Sequence, residues 1–263
     1  MKRTIIALDV DGTLRDYGGM IGRETIERMK QVAHVGICSS RKDAWDIARK
    51  YGLGFGECGK HTCLTRFKQL WGHDCIGFLY IADTAQDELE ARKAGFNFAY
   101  ANDIKLNLGC GSDIRFGYIN IDIRPIQGVN IMLDLENQPL PFEDGIVSEI
   151  VAQDVIEHIH YHKVENLLRE CYRVLKPGGI LYIRTPDLER IVDKVLVKKE
   201  RLGQLTGYKL LSFFIFGRYD NPYDVHKCIF TKELLRELLE EIGFEIIEMW
   251  NDDSNLVCRC KKQ

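Results

Sequence analysis

Apolar and β-branched residues fill Thr4 to Leu8, Ala33 to Cys38, Phe78 to Ala82 and Asn97 to Ala101 almost without a break, which predicts buried parallel strands. Lys60 opens a helical pattern with Leu64, Phe67 and Leu70 on one face, and Thr84 and Gly95 bracket a further helix as cap and stop. A second series starts at once. Ile104 to Leu108, Tyr118 to Ile121 and Ile180 to Ile183 read as strands, and Val164, Leu167, Leu168, Cys171 and Leu175 give a helix ended by Pro177-Gly178-Gly179. The helix from Thr231 to Ile242 stops at Gly243, and Phe244 to Trp250 with Leu256 to Cys260 form a closing antiparallel hairpin about a turn at Asn251 to Asn255.

This alternation predicts an α/β protein of two packed domains, residues 1–102 and 103–263, each a three-layer α/β/α Rossmann-like sheet. Only Asn102-Asp103 separates the last strand of one from the first strand of the other, with no Gly, Ser or Pro linker, so a fairly fixed angle is expected.

Composition narrows the function classes. A net charge of -3 argues against a protein held to nucleic acid mainly by electrostatics. Met1-Lys2-Arg3 leads into an apolar run that Asp9 interrupts too early for a signal peptide, and no stretch is long enough to span a bilayer. Nine cysteines without a leader predict reduced thiols in a cytoplasmic protein.

The first strand ends on Asp9-Val10-Asp11-Gly12-Thr13-Leu14. Carboxylates spaced two apart on a strand point the same way and repel unless a cation or proton lies between them. The next strand ends on Ser39-Ser40-Arg41, Lys60 follows, and the strand from Phe78 ends on Asp83 with Asp87 four residues on. In this order the motifs resemble the haloacid dehalogenase (HAD) superfamily of phosphotransferases, apart from Ala82 where a glycine is frequent. The resemblance implies that Asp9 attacks phosphorus, that Asp11 acts as acid and base, and that Ser39 and Lys60 hold the phosphoryl group. It implies Mg²⁺ on Asp9, Asp83 and the Val10 carbonyl, with Asp11 beside them and Asp87 orienting the shell. Lys68 is the alternative lysine. Arg15 to Gln31 and Lys42 to Gly59 are too short for a cap domain, so an open site or one covered by the second domain is expected.

Ile104 to Leu108 runs into Gly109-Cys110-Gly111, and the next strand ends on Asp122. Glycines let the backbone approach a ligand at a strand's carboxyl end, and a carboxylate ending the neighbouring strand can accept both ribose hydroxyls. With Asp134-Leu135-Glu136, Leu140-Pro141-Phe142-Glu143-Asp144, Glu157-His158 and Leu175-Lys176-Pro177-Gly178-Gly179 following, residues 103–263 closely resemble class I S-adenosylmethionine-dependent methyltransferases, in particular a compact group linked to surface-polysaccharide modification. The resemblance implies cofactor contacts from Asn107, Gly109, Cys110, Gly111, Asp122, Asp134 and Leu135. Asp113 replaces a frequent third glycine, and Ser112 to Gly117 is too short for the usual full helix.

Other candidates carry less. Leu211 to Ile229 holds Phe213, Phe214, Phe216, Tyr219 and Tyr223, which serve equally as acceptor platform or insertion core. His226 is a candidate base for an acceptor hydroxyl, and His158 a candidate for substrate positioning. His158, His160 and His162 cannot all share one helix face, which favours a polar helix start over a metal site. Cys58, His61, Cys63, His73 and Cys75 offer a zinc alternative of irregular spacing, with thiols unconnected to metal the plainer reading.

The reading as a whole is a bifunctional enzyme, a Mg²⁺-dependent phosphatase joined to an S-adenosylmethionine-dependent methyltransferase, acting on a sugar phosphate or saccharide intermediate. Two alternatives stand beside it. One is an enzyme of nucleic-acid ends, which the charge opposes; the other is a methyltransferase whose N-terminal domain only binds.

Overall fold

The structure, a computed structural model, describes residues 4–263; Met1 to Arg3, which entered the signal-peptide argument, lie outside the described residues. The first nine elements are β1 (Thr4–Leu8), α1 (Arg23–Val32), β2 (His34–Ser39), α2 (Ala44–Lys50), β3 (Gly56–Cys58), α3 (Lys60–Trp71), β4 (Gly77–Ala82), α4 (Ala85–Ala94) and β5 (Asn97–Tyr100). They build a five-stranded sheet in the order β3-β2-β1-β4-β5, and every pairing in it is parallel. That pairing explains the unbroken apolar runs, because helices cover both faces of a parallel sheet. Its core gathers Ile5, Cys38, Phe55, Phe67, Tyr80 and Phe98; Phe55 stacks on Phe67 at 4.3 Å, and the buried Tyr80 hydroxyl donates to the Cys38 carbonyl at 2.9 Å.

Then follow β6 (Ile104–Leu108), β7 (Ile119–Asp122), β8 (Ile131–Met132), β9 (Val147–Gln153), α5 (Tyr161–Val174), β10 (Leu175–Pro186), α6 (Leu188–Val192), α7 (Gly207–Phe216), α8 (Lys232–Ile242), β11 (Phe244–Asp252) and β12 (Asn255–Lys262). The seven strands form one sheet ordered β11-β12-β10-β9-β6-β7-β8, in which β12 runs antiparallel to both β10 and β11. No helix intervenes between β6 and β7, as the short Ser112 to Gly117 segment predicts. Among the described residues no helix is long and apolar enough to cross a membrane.

By contact the chain divides into two units, Met1–Asp134 with Leu140–Glu149, and Leu135–Pro139 with Ile150–Gln263. The first unit holds the whole five-stranded sheet together with β6, β7 and β8, and close backbone approaches join them. The Gly128 amide donates to the Ile76 carbonyl at 2.9 Å, and the Asn97 side chain donates to the Tyr118 carbonyl at 2.8 Å and to Asn130 at 2.9 Å. Arg15 pairs with Glu143, while Arg28 donates to the Phe142 carbonyl at 3.1 Å. Gly77 sits so near the Val129 carbonyl oxygen that a Cβ would lie 1.6 Å from it. Gly77→Ala is expected to lower stability by about 3 kcal/mol, because backbone on both sides must move; thermal unfolding checks it.

In the second unit two expected boundaries shift. The helix α5 stops at Val174, and Leu175 is already extended, so Pro177, Gly178 and Gly179 lie within β10 rather than ending the helix. Proline disfavours the helical conformation in the residue before it, which moves the break upstream. The closing hairpin is also tighter than predicted. Asp252 pairs with Asn255, leaving Asp253 (φ 55°) and Ser254 as a two-residue turn.

Candidate functional site

In the order β3-β2-β1-β4-β5 the chain leaves the central strand first to one side and later to the other, so the loops after β1 and β4 diverge and open a crevice at their carboxyl ends. Asp9 follows β1 and Asp83 follows β4. Thr84 caps α4 by accepting from the Asp87 amide at 3.2 Å and bonds the Asp87 carboxylate as well, which turns Asp87 back to the same crevice. Carboxylate oxygens of Asp9, Asp83 and Asp87 all lie within 4.8 Å of one another.

Lys60, the first residue of α3, donates to Asp9 Oδ2 at 2.9 Å and pairs with Asp87. Burial alone would lower the Lys60 ammonium, but the Asp87 and Asp9 carboxylates outweigh it and hold its pKa above the ordinary value. Burial raises the Asp9 carboxyl, with Lys60 and the Ser39 hydroxyl pulling it back only in part. Asp9 Oδ1 is buried with no hydrogen-bond partner. One lysine among three carboxylates and a partnerless buried oxygen suit a hard divalent cation, which takes oxygen ligands. Gly12 (φ 65°) makes room for this group, since a Cβ there would stand 2.1 Å from Asp83 Oδ2.

Three sequence assignments change here. The Val10 carbonyl accepts from the Thr13 and Leu14 amides at 3.2 and 2.9 Å, so both its lone pairs are engaged within the turn. Asp11 does not share the Asp9 position either. The strand ends at Leu8 and the chain turns, so strict alternation no longer holds; Asp11 is exposed and pairs at 3.1 Å with Arg41, which also grips Asp43 twice at 2.8 Å. Asp87 belongs among the converging carboxylates themselves. Of the two lysines, Lys68 stands over the Phe78 ring, away from Asp9. The zinc alternative is not assembled: Cys63 is buried with its thiol toward the Ile37 carbonyl, Cys75 bonds the Trp71 carbonyl, and Cys58 is exposed.

At the end of β6, Gly109 (φ 54°) and Gly111 (φ 52°) adopt left-handed backbone conformations that glycine tolerates and other residues rarely do. The Gly111 amide donates to Asp122 Oδ2 at 2.8 Å, so the turn and the buried carboxylate ending β7 hold each other. Arg124 donates to the same carboxylate through its amide at 2.8 Å and its guanidinium at 3.1 and 3.3 Å. Cys110 is buried, its amide donates to the Ile121 carbonyl, and burial pushes its thiol up to about 12. Asn107 corrects its assignment. Its amide donates to the Asp113 carbonyl at 2.7 Å and to Asn120 at 3.0 Å, in a buried network that shapes the loop after Gly111 instead of meeting a ligand. Asp134 is half-buried just past β8, and Leu135 lies in the other unit.

In the second unit, Glu157 and His158 occupy a short 3-10 turn after β9. His226 comes from the segment beyond α7, and its ring lies 5.0 Å from that of His158. Burial lowers the His226 pKa, and His158 lowers it further. His160 stacks on Tyr161 and on His162 at the start of α5, apart from this pair. The aromatic segment divides: Phe213 and Phe214 pack with Ile191, Val195 and Leu210, whereas Phe216, Tyr219 and Tyr223 are exposed.

The family model of a methyltransferase domain matches residues 57–249. This chain belongs to the methyltransferase domain family. A comparison with the curated proteins gave no match. Solved structures similar to this methyltransferase-family chain include a Haloferax volcanii methyltransferase in complex with the Trm112 activator, at 15% identity over 61% of this chain and 82% of that one, with a TM-score of 0.43. An S-adenosylmethionine-dependent methyltransferase from Listeria monocytogenes shares 14% identity over 62% and 92%, with a TM-score of 0.44. One from Aquifex aeolicus shares 14% over 60% and 81%, with a TM-score of 0.40.

Within this methyltransferase-family chain, sequence reasoning missed Glu157 as a titrating group. Its carboxyl is buried and bonded by the Thr185 hydroxyl at 3.1 Å, and burial pushes its pKa to about 8. A folded pKa above the unfolded one means that the stability tied to the bound proton is complete below about pH 4.5 and fades as pH rises to about 8. Glu157→Gln, neutral at every pH, is expected to remove that decline, with a ceiling of about 5 kcal/mol. Thermal unfolding with chelator at pH 5 and pH 9 checks it: the variant should melt higher than the parent only at pH 9.

Proposed function

We propose that the chain is a bifunctional enzyme in which residues 103–263 transfer a methyl group from S-adenosylmethionine and residues 1–102 hydrolyse a phosphomonoester with Mg²⁺. Membership of the methyltransferase family supports the first activity. The left-handed turn at Gly109 to Gly111, bonded to a buried acidic strand end, supports a nucleoside-bearing cofactor there, with Asp122 toward the ribose and Asp134 toward the adenine. Methyl transfer from an already activated sulfonium needs mainly alignment of acceptor, methyl and sulfur.

The observation that carries the phosphatase half is the convergence of Asp9, Asp83 and Asp87 around one lysine, with a buried Asp9 oxygen left partnerless. Asp9, Asp83 and Asp87 would hold Mg²⁺, which when bound offsets the charge of the carboxylates and the phosphate. An Asp9 oxygen attacks phosphorus in line, and the ester bond breaks as Asp11 gives its proton to the leaving oxygen. Asp11 then takes a proton from the water that cleaves the aspartyl-phosphate, releasing phosphate and restoring Asp9. Lys60 and Ser39 stabilise the charge that develops on the phosphoryl oxygens. Arg41 pairs with Asp11 when no substrate is bound, and that pair has to open for Asp11 to act as the acid.

A sugar phosphate or saccharide intermediate is the substrate class we favour, because the net charge of -3 gives a polyanion little purchase. The test is Mg²⁺-dependent phosphate release from sugar phosphates, nucleotides and 3′- or 5′-phosphorylated oligonucleotides. Selective release from a sugar phosphate supports the reading. Preference for oligonucleotide ends, sensitive to salt, replaces it with the nucleic-acid reading. Release from no member would leave residues 1–102 as a binding module of a methyltransferase.

A further inference from the structure

The His158, Glu157 and His226 side chains form a cluster that neither activity above requires as a metal centre. We propose that they bind a divalent transition metal of the zinc type, with one coordination position left open. One ligand atom from each of the three lies within 4.8 Å of the others. Glu157 and His158 are adjacent in the turn after β9, whereas His226 arrives 68 positions later, so no local spacing in the sequence announces the group.

The outer hydrogen bonds prepare these side chains for a metal. His158 Nδ1 lies 3.1 Å from the Val225 carbonyl and His226 Nδ1 lies 3.0 Å from the Phe214 carbonyl. A carbonyl only accepts, so each Nδ1 carries the proton and each Nε2 keeps its lone pair. Anchoring one ring nitrogen on a backbone carbonyl is how metal-bound histidines are oriented and their tautomer set. Glu157 is held in turn by the Thr185 hydroxyl, and its own carbonyl accepts from the Lys227 amide at 2.7 Å and the Cys228 amide at 3.3 Å. Those two bonds fasten the His226 segment to the turn that carries the other two ligands.

The charge balance points the same way. Glu157 is buried in a chain whose nearby guanidinium, Arg184, is already paired with Asp154. A divalent cation between the three would displace the proton of the buried Glu157 carboxyl and balance the charge that this leaves. Two nitrogens and one oxygen form the donor set of open zinc and related centres, while a hard cation such as Mg²⁺ finds its all-oxygen set at Asp9 instead. The open position would take water or a substrate hydroxyl and lower its pKa.

The test titrates Co²⁺ into the full-length chain after chelator treatment, follows the visible d–d absorption, and then displaces Co²⁺ with Zn²⁺. With Mg²⁺ in excess to fill the Asp9 site, one equivalent is expected to bind without the near-ultraviolet sulfur charge-transfer band that any of the nine cysteines would add. His226→Ala and Glu157→Gln should each weaken binding by about 100-fold or more, while Asp9→Asn and His160→Ala leave it intact. Far-ultraviolet circular dichroism of each variant separates ligand loss from misfolding, and Zn²⁺ should raise the melting temperature of the parent but not of a folded His226→Ala. Binding that carries the sulfur band, that only Asp9→Asn removes, or that folded His226→Ala and Glu157→Gln both retain would overturn the proposal. So would no binding by the parent.

Discussion

Asp9→Asn is expected to abolish Mg²⁺-dependent phosphate release, a loss of about 10⁴-fold or more, because it replaces the proposed attacking atom. The substitution keeps shape and replaces one oxygen by an amide that neither attacks phosphorus nor attracts a cation. Folding should not suffer. Burial raises the Asp9 carboxyl despite Lys60 and Ser39, so the ionised side chain is a burden to the metal-free fold, and the neutral amide should melt at the same temperature or higher. Lys60→Met separates the roles further. It leaves the nucleophile in place but strips the cation from Asp9 and Asp87, so a smaller loss, of roughly 10² to 10³-fold, is expected. Phosphate release measured at saturating Mg²⁺ for both variants checks this order. Activity in Asp9→Asn equal to the parent's would mean that any hydrolysis comes from elsewhere.

The strands and the residues ending them were legible because both follow from local rules. A parallel strand covered on both faces must be apolar throughout, and a polar residue ending it must meet the crevice where the strand order reverses. Those local rules place Asp9, Asp83, Gly109 and Asp122 at strand ends. What escaped depended on chain direction over two or three residues. The resemblance implies a Val10 carbonyl on the metal, but the turn that follows β1 engages that carbonyl with the Thr13 and Leu14 amides. Asp11 was expected beside Asp9 by strand alternation, which fails one residue past the strand. The resemblance implies a cofactor contact from Asn107, but its side-chain nitrogen donates to Asp113 and Asn120. The pairing of His226 with Glu157 and His158 was beyond reach for another reason. It is a long-range contact made through the Lys227 and Cys228 amides, and nothing in either segment alone encodes its partner.

Asp122→Ala is expected to weaken binding of S-adenosylhomocysteine by about 10³-fold, the value of two hydrogen bonds to a charged acceptor at roughly 2 kcal/mol each. The carboxylate is not idle before the ligand arrives. Oδ1 accepts from the Arg124 amide and Nε, and Oδ2 from the Gly111 amide and Arg124 Nη2, so four acceptor sites are filled. Two ribose hydroxyls therefore enter only as the Arg124 guanidinium leaves. A partly exposed pair of this kind is worth about 1 kcal/mol, so Arg124→Ala should tighten cofactor binding by roughly 5-fold. The Gly111 amide stays on Oδ2 in that variant and keeps the turn in register. In the Asp122→Ala background the same Arg124→Ala change should have no effect, since the carboxylate it competes for is gone. Calorimetry on the four chains measures the coupling directly. If Arg124→Ala instead weakens binding, the guanidinium contacts the cofactor rather than yielding to it, and Asp122 acts through Arg124 instead of meeting the ribose.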